Sequence, residues 1–258
     1  MIIGLLALAY ILFGGGNQTF LLNPNLKKNV DTYVADKGSK NKIYELIKQV
    51  EKNEANFEKK TKKVVDKKLV ELNMNRASTT ADFTIEYKIF YDSLAALQNS
   101  FITDELKIRD LILPNEWDSI TKKVLVVPDN MKARKKLFAE NQKLHDNLLK
   151  ACNKYIADAA GKTKAKTMID EYEAKGDTLA SSFLNLNYKY LKAIRPYHVS
   201  RKDFEPIRTE MLGLRKDYTA YLVDMRFKLL ALTPEKQWNE LAKDLNSSFV
   251  DMGAGISK

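Results

Sequence analysis

The sequence predicts an all-α fold: an elongated helical bundle of coiled-coil hairpins from an internal tandem duplication, with an N-terminal transmembrane segment. Three observations carry this. Apolar residues recur in steps of four and three over stretches far longer than a strand. One half of the chain repeats the other at an offset of 121–122 positions. The first thirteen residues carry no charged side chain. Scarcity of Gly and Pro, 10 and 6 in 258 residues, agrees with long helices.

Met1 to Phe13 reads MIIGLLALAYILF, followed by Gly14, Gly15 and Gly16 and by the apolar Phe20, Leu21 and Leu22. A full span needs about 17–25 apolar residues, and local thinning of the bilayer would let residues 1–22 cross. A cleaved signal peptide is not expected, for want of a basic leader and a small-residue cleavage site. The competing reading is a hydrophobic arm buried in a partner protein. Lys27 and Lys28 follow the run and no basic residue precedes it, so the positive-inside bias leaves the helical domain cytoplasmic.

The repeat is the most informative feature. Tyr33-Val34-Ala35-Asp36 matches Tyr155-Ile156-Ala157-Asp158, and Leu26 and Val30 fall on Leu148 and Cys152, all 122 positions apart. Asp82-Phe83 matches Asp203-Phe204, and Trp117 matches Trp238 (the only two tryptophans), now 121 apart. Four matches in one order predict a duplicated unit of about 100 residues, longer than common solenoid repeats. The expected organisation is a membrane anchor over 1–22, repeat 1 over 23–128, a connecting helix over 129–147, repeat 2 over 148–248 and a flexible tail over 249–258.

Each unit reads as a short leading helix, a long helix, a reverse loop, a return helix and a short Trp helix. In the second copy the long seam is Ala165, Ile169, Tyr172, Gly176, Leu179, Phe183, Leu186, Tyr190 and Ala193. In the first it is Ile43, Ile47, Val50, Phe57 and Val64, interrupted at Glu54 and Lys68. Thr79-x-x-Asp82 and Ser200-x-x-Asp203 are capping boxes that restart the chain as a return helix. The return seams are Phe83, Tyr87, Phe90, Leu94, Leu97, Phe101, Ile108 and Leu111, then Phe204, Met211, Tyr218, Leu222, Met225, Leu229 and Leu232. A helix of about 32 residues at 1.5 Å per residue is roughly 48 Å long. Thr233 before Pro234 is placed to cap the second Trp helix; Leu113 stands before Pro114 in the first.

The net charge of +10 reads as a lysine-rich solvated surface, because acids are interleaved with the lysines. The densest basic stretches are Lys59, Lys60, Lys62, Lys63, Lys67, Lys68 and Lys132, Arg134, Lys135, Lys136. Neither is interleaved with the aromatics that stack on single strands, so nucleic acid is not an expected partner.

No catalytic, cofactor-binding or metal-binding residue is expected. Ala160-Gly161-Lys162-Thr163 matches the end of a phosphate loop, but the motif's first glycine is Ile156 and a helix precedes it. His145 and Cys152 are seven apart on one helical face, and two ligands make no closed site. Cys152 itself reads as a small buried hydrophobe. His198 falls in the Pro196 loop. Trp117 and Trp238 read as structural plugs at the ends of the hairpins, and Tyr87, Tyr91, Tyr218 and Tyr221 as core.

Leu232-Thr233-Pro234-Glu235 resembles the Leu-Thr motif of the small periplasmic Spy/CpxP-like helical chaperones. That pattern has a glutamine where this chain has Lys236, and the first copy lacks the threonine, so no family is assigned. The leading functional expectation is a non-enzymatic, membrane-anchored scaffold or accessory subunit, bound to the bilayer by residues 1–22 and to other protein subunits by its helical faces. The alternatives are a periplasmic chaperone-like or stress-sensing protein and a binder of anionic lipid or nucleic acid. No small-molecule substrate is expected.

Overall fold

A computed structural model describes residues 26–124 and 130–255, and these are all-helical, with no strand among them. The expected membrane segment lies outside the described residues, and no helix among them is long and apolar enough to cross a membrane. The order is α1 (Leu26–Tyr33), α2 (Lys37–Phe57), a π turn (Glu58–Lys62), α3 (Lys63–Met74), α4 (Thr80–Asp110) and α5 (Pro114–Val124). Then follow α6 (Asn130–Tyr155), α7 (Ala159–Ile194), α8 (Arg201–Leu232) and α9 (Glu235–Gly255).

The helix starts follow from side chains that take orphan N–H groups. The Asp36 carboxylate accepts the Ser39 N–H at 2.6 Å, and Asp158 accepts the Gly161 N–H at 2.6 Å, at matching places in α2 and α7. Asp82 accepts the Thr79 N–H at 2.7 Å, and Asp203 accepts the Ser200 N–H at 2.7 Å, so both capping boxes form. At α5, Glu116 reaches back to the Leu113 N–H at 3.0 Å, and its other oxygen takes the Ala35 N–H at 2.6 Å. That one carboxylate ties α5 to the end of α1.

Thr233 behaves differently from the expectation. It ends α8 instead of starting α9: its hydroxyl donates to the Leu229 carbonyl at 2.7 Å and is buried there. The Trp helices begin at Pro114 and Glu235, so the equivalent positions are set by the tryptophans and not by the two prolines. α6 runs unbroken through residues 147 and 148, and α9 spans Glu235–Gly255.

Most of both return seams is buried: Phe83, Tyr87, Phe90, Leu94, Phe101 and Ile108 in α4, and Phe204, Met211, Tyr218, Leu222, Met225 and Leu229 in α8, while Leu97, Leu111 and Leu232 are half-buried. α7 packs on α8 and on α6, while α4 packs on α2 and α3. The two return helices also pack on each other, which joins the halves. In the first half the seam slips by one residue. Ile43, Ile47 and Val50 are buried, but Val64 is 54% exposed and Val65 takes the inward place. The π turn is the cause: the Lys63 N–H reaches five residues back to the Glu58 carbonyl, and the extra residue rotates everything after it.

The tryptophans close the bundle reciprocally. Trp117 Nε1 donates to the Arg195 carbonyl at 3.2 Å, and Trp238 Nε1 donates to the Asn73 carbonyl at 3.1 Å. Arg195 and Asn73 are 122 positions apart and each ends a long helix, so each indole caps the other half. A second pair repeats the exchange: Tyr197 Oη donates to Ile112 O at 2.8 Å, and an Arg76 guanidinium N–H donates to Thr233 O at 3.0 Å.

Three substitutions test this packing. Trp238→Phe strands the Asn73 carbonyl and leaves a gap where the fused indole ring stood, and should cost about 2–4 kcal/mol in chemical denaturation. A Cβ at Gly213 in α8 meets nothing within 4 Å, so Gly213→Ala should stabilise by about 0.5–1 kcal/mol. Gly161→Ala should destabilise in the same assay, because its Cβ would stand 2.8 Å from Asp158 Oδ2 and 2.9 Å from Ile156 Cγ2.

Candidate functional site

The most site-like feature is a cleft between the N-terminal half of α4 and the C-terminal half of α8. Its volume is about 470 Å³. Phe83, Tyr87, Tyr91, Val223 and Phe227 form its walls, and Lys88, Asp92, Lys216 and Asp224 stand at its rim. The lining positions recur three and four apart because each helix offers one stripe to the cleft. Phe83 and Phe227 meet edge to face, with ring centroids 6.1 Å apart.

The floor is polar and tightly held at one end. Tyr91 Oη donates to the Arg215 carbonyl at 3.0 Å and also contacts the Thr219 hydroxyl. Tyr87 is only 8% exposed, and its Oη has no hydrogen-bond partner among the described residues. Burial, the neighbouring Tyr91 and the charge of Asp66 hold the Tyr87 phenol well above its ordinary value, so it stays a neutral donor.

Asp66 belongs to the π-turn region behind the cleft. Lys62 Nζ stands 3.2 Å from Glu58 and 3.2 Å from Asp66. Burial pushes the Asp66 carboxyl up to about 6, against the pull of Lys62. Turns of this kind recur at functional sites, and here the turn sets a lysine between two acids beneath the aromatic cluster of Phe57, Phe90 and Tyr91.

The other half of the α4–α8 interface is sutured. Arg201 donates to Asn99 Oδ1 at 3.2 Å and to the Thr103 hydroxyl at 2.5 Å. At an offset of 121, Arg201, Asn99 and Thr103 correspond to Thr80, Ala220 and Asp224, all three of which line the cleft. The cleft is open where a threonine replaces the bridging arginine.

The residues singled out in the sequence take these places. Trp117 and Trp238 are buried plugs, each beside a guanidinium: Arg109 lies 4.8 Å from the Trp117 ring and Arg226 lies 5.2 Å from Trp238. Tyr218 stacks on Tyr172 at 5.8 Å, and Tyr221 stacks on Tyr172 at 6.4 Å. Of the four tyrosines read as core, Tyr87 and Tyr91 therefore also line the cleft. In the phosphate-loop look-alike, Asp158 already occupies the Gly161 N–H and presents negative charge to any anion. Cys152 is buried, and burial pushes its thiol up to about 12. His198 is exposed beside Tyr197. Of the basic stretches, Lys62 joins the ion-pair chain described above, while Lys132, Arg134, Lys135 and Lys136 have side chains outside the described set.

His145 has carboxylate partners that its own helix does not supply: Asp170 and Glu173, three residues apart on α7. Asp170 Oδ1 is 2.8 Å from His145 Nε2, Glu173 3.5 Å, and Asp146 stands 3.2 Å from Nδ1. The three-residue step was visible, but that α6 would lay its histidine against it was not. Burial lowers the imidazole, but the hydrogen bonds to Asp170 and Asp146 outweigh it and hold it above its ordinary value. No group of three or more such residues among those described has the geometry to hold a metal ion.

A second buried network was missed altogether. Glu105 accepts from Tyr190 Oη at 2.7 Å and pairs with Arg109 at 3.2 Å, joining α4 to α7. Burial pushes the Glu105 carboxyl up, against the pull of Tyr190 and Arg109. These contacts define the class: an all-helical bundle of two interlocked hairpins with an unsealed aromatic cleft. Comparison with family models, with curated proteins and with solved structures gave no match.

Stability should lean towards acid. The folded state keeps the Glu105 proton above pH 4.5, where the unfolded chain loses it, so stability falls as pH rises towards about 7. Raised His145 acts in the same direction: its contribution is complete below 6.5 and fades as pH climbs through the folded value. Melting curves between these values should show a slope that Glu105→Gln reduces. An unchanged slope would remove Glu105 from the account.

Proposed function

We propose that the chain is a non-enzymatic helical scaffold or accessory subunit that holds partner proteins at a membrane, tethered by residues 1–22 on the cytoplasmic side. In this reading the two halves are the products of a tandem duplication. The matched caps at Asp36 and Asp158 and the reciprocal indole bonds support that origin.

One observation carries the scaffold reading. Ile85 and Ile89 are 59% and 47% exposed on α4, four residues apart and so on one face, while Phe83, Tyr87 and Phe90 of the same stretch are buried. Val64, turned outward by the π turn, adds a third large apolar side chain to the exposed surface of the first half. Large apolar side chains grouped at the surface mark protein contacts. A tether would raise the local concentration of such a face near a membrane partner.

The test is copurification of the full chain from detergent-solubilised membranes. A stoichiometric protein partner is expected, together with its loss in the double variant Ile85→Glu, Ile89→Glu at unchanged helical content. Deletion of residues 1–22 should release the chain to the soluble fraction. Recovery of the full chain as a soluble monomer without detergent would sink the tether, and a partner retained by the double variant would sink the α4 face.

A further inference from the structure

We propose that the α4–α8 cleft is a binding site for a small amphipathic anion: a carboxylate carried on an aromatic or alkyl body. The apolar body would lie against Phe83, Tyr87 and Phe227, with its charge at Lys216. The inference does not depend on the scaffold reading.

The cleft has the form of a ligand site. At about 470 Å³ it falls in the range of small-molecule pockets, and it lies between helices of a bundle, where such pockets recur. Its walls are mostly aromatic, and a flat or flexible apolar body can fill them without strain. Tyr87 contributes its ring to the wall; its Oη is buried on the side of Asp66, away from an occupant of the open cleft.

The rim decides the sign of the charge. Lys88 is tied to Asp92 at 2.5 Å, and Asp224 is tied to Lys228 at 2.7 Å. Lys216 is the cleft-lining cation with no acid within salt-bridge distance among the described residues; its ammonium stands 5.9 Å over the Tyr91 ring. One uncommitted positive charge at the edge of an aromatic slot suits a monoanion with an apolar tail. The threonines do not compete for it, since Thr84 and Thr219 donate to the carbonyls of Thr80 and Arg215.

The sutured half shows how the cleft can be closed. Arg201 crosses the equivalent interface to Asn99 and Thr103. An arginine at position 80 would reach across in the same way towards Asp224 and displace any occupant. Thr80 is exposed at the first turn of α4, so this change leaves the core untouched.

Calorimetry with 1-naphthylacetate tests the proposal, using the full chain in nanodiscs of a zwitterionic lipid. Saturable binding of one probe per chain is expected. The neutral analogue 2-(1-naphthyl)ethanol and the variant Lys216→Gln should each weaken binding by about tenfold, the loss of one charge-assisted contact. Thr80→Arg should abolish it with helical content and melting temperature preserved. Lys202→Gln, on the sutured half, should change nothing. Absent or non-saturable binding, or binding that survives Thr80→Arg, would overturn the site. Equal affinity for the alcohol and the acid, with no effect of Lys216→Gln, would overturn the assignment of an anion.

Discussion

The bundle depends on an exchange at the ends of its long helices. A helix leaves its last carbonyls without partners and concentrates partial negative charge there. Neither half of this chain satisfies those carbonyls with its own Trp helix. Trp117 closes the end of α7 and Trp238 closes the end of α3, and each indole arrives with a guanidinium at its face. Arg226 extends the seal: it donates to the carbonyls of Leu72 and Asn75 while lying 4.5 Å from the Phe227 ring. A hairpin that ends on its partner's cap is complete only when the partner is present. The two hairpins are therefore one folding problem.

Within that frame the halves differ where charge is concerned. Position 105 is glutamate and position 226, 121 residues later, is arginine, and both are buried. Each solves burial differently. Glu105 takes a phenol and a guanidinium, whereas Arg226 takes two backbone carbonyls and three aromatic faces. Burial lowers the Arg226 guanidinium, with Arg76 adding repulsion, to about 10, which leaves it charged at neutral pH. Carbonyls at a helix end are a fair substitute for a carboxylate, because their dipoles point the right way.

The fold was legible because its signals are local. Four-three periodicity, capping boxes and the matched tryptophans each concern residues close in sequence or repeated in it. The slip at Val64 was not legible, since nothing in Glu58-Lys59-Lys60-Thr61-Lys62 announces a π turn; only the shift of burial to Val65 reveals it. Thr233 misled because a hydroxyl between two helices can serve either neighbour, and here it donates to the Leu229 carbonyl. The candidate site was barely legible. Tyr87 and Tyr91 sit on the return seam like any core residue, and only the crossing of α4 over α8 separates a packed tyrosine from one that faces a cleft. The His145 and Glu105 networks were hidden for the same reason: their partners are 25 and 85 residues away.

The place where the halves diverge is also where divergence costs least. The ends are fixed by the indole exchange, and the seams are fixed by continuous burial. The crossing of the two return helices is bound differently on its two sides. On one side Arg201 joins α8 to α4 through side chains near the surface. On the other, the buried contact of Tyr91 with Arg215 and Thr219 already holds the helices together. A surface suture beside that contact is redundant, so Thr80 can stand where its counterpart is arginine without loosening the crossing. What remains is an aromatic slot held at one end by the hydrogen bonds of its own wall residue Tyr91. A preformed opening of this kind loses little entropy when it is filled, which distinguishes it from a gap left by poor packing.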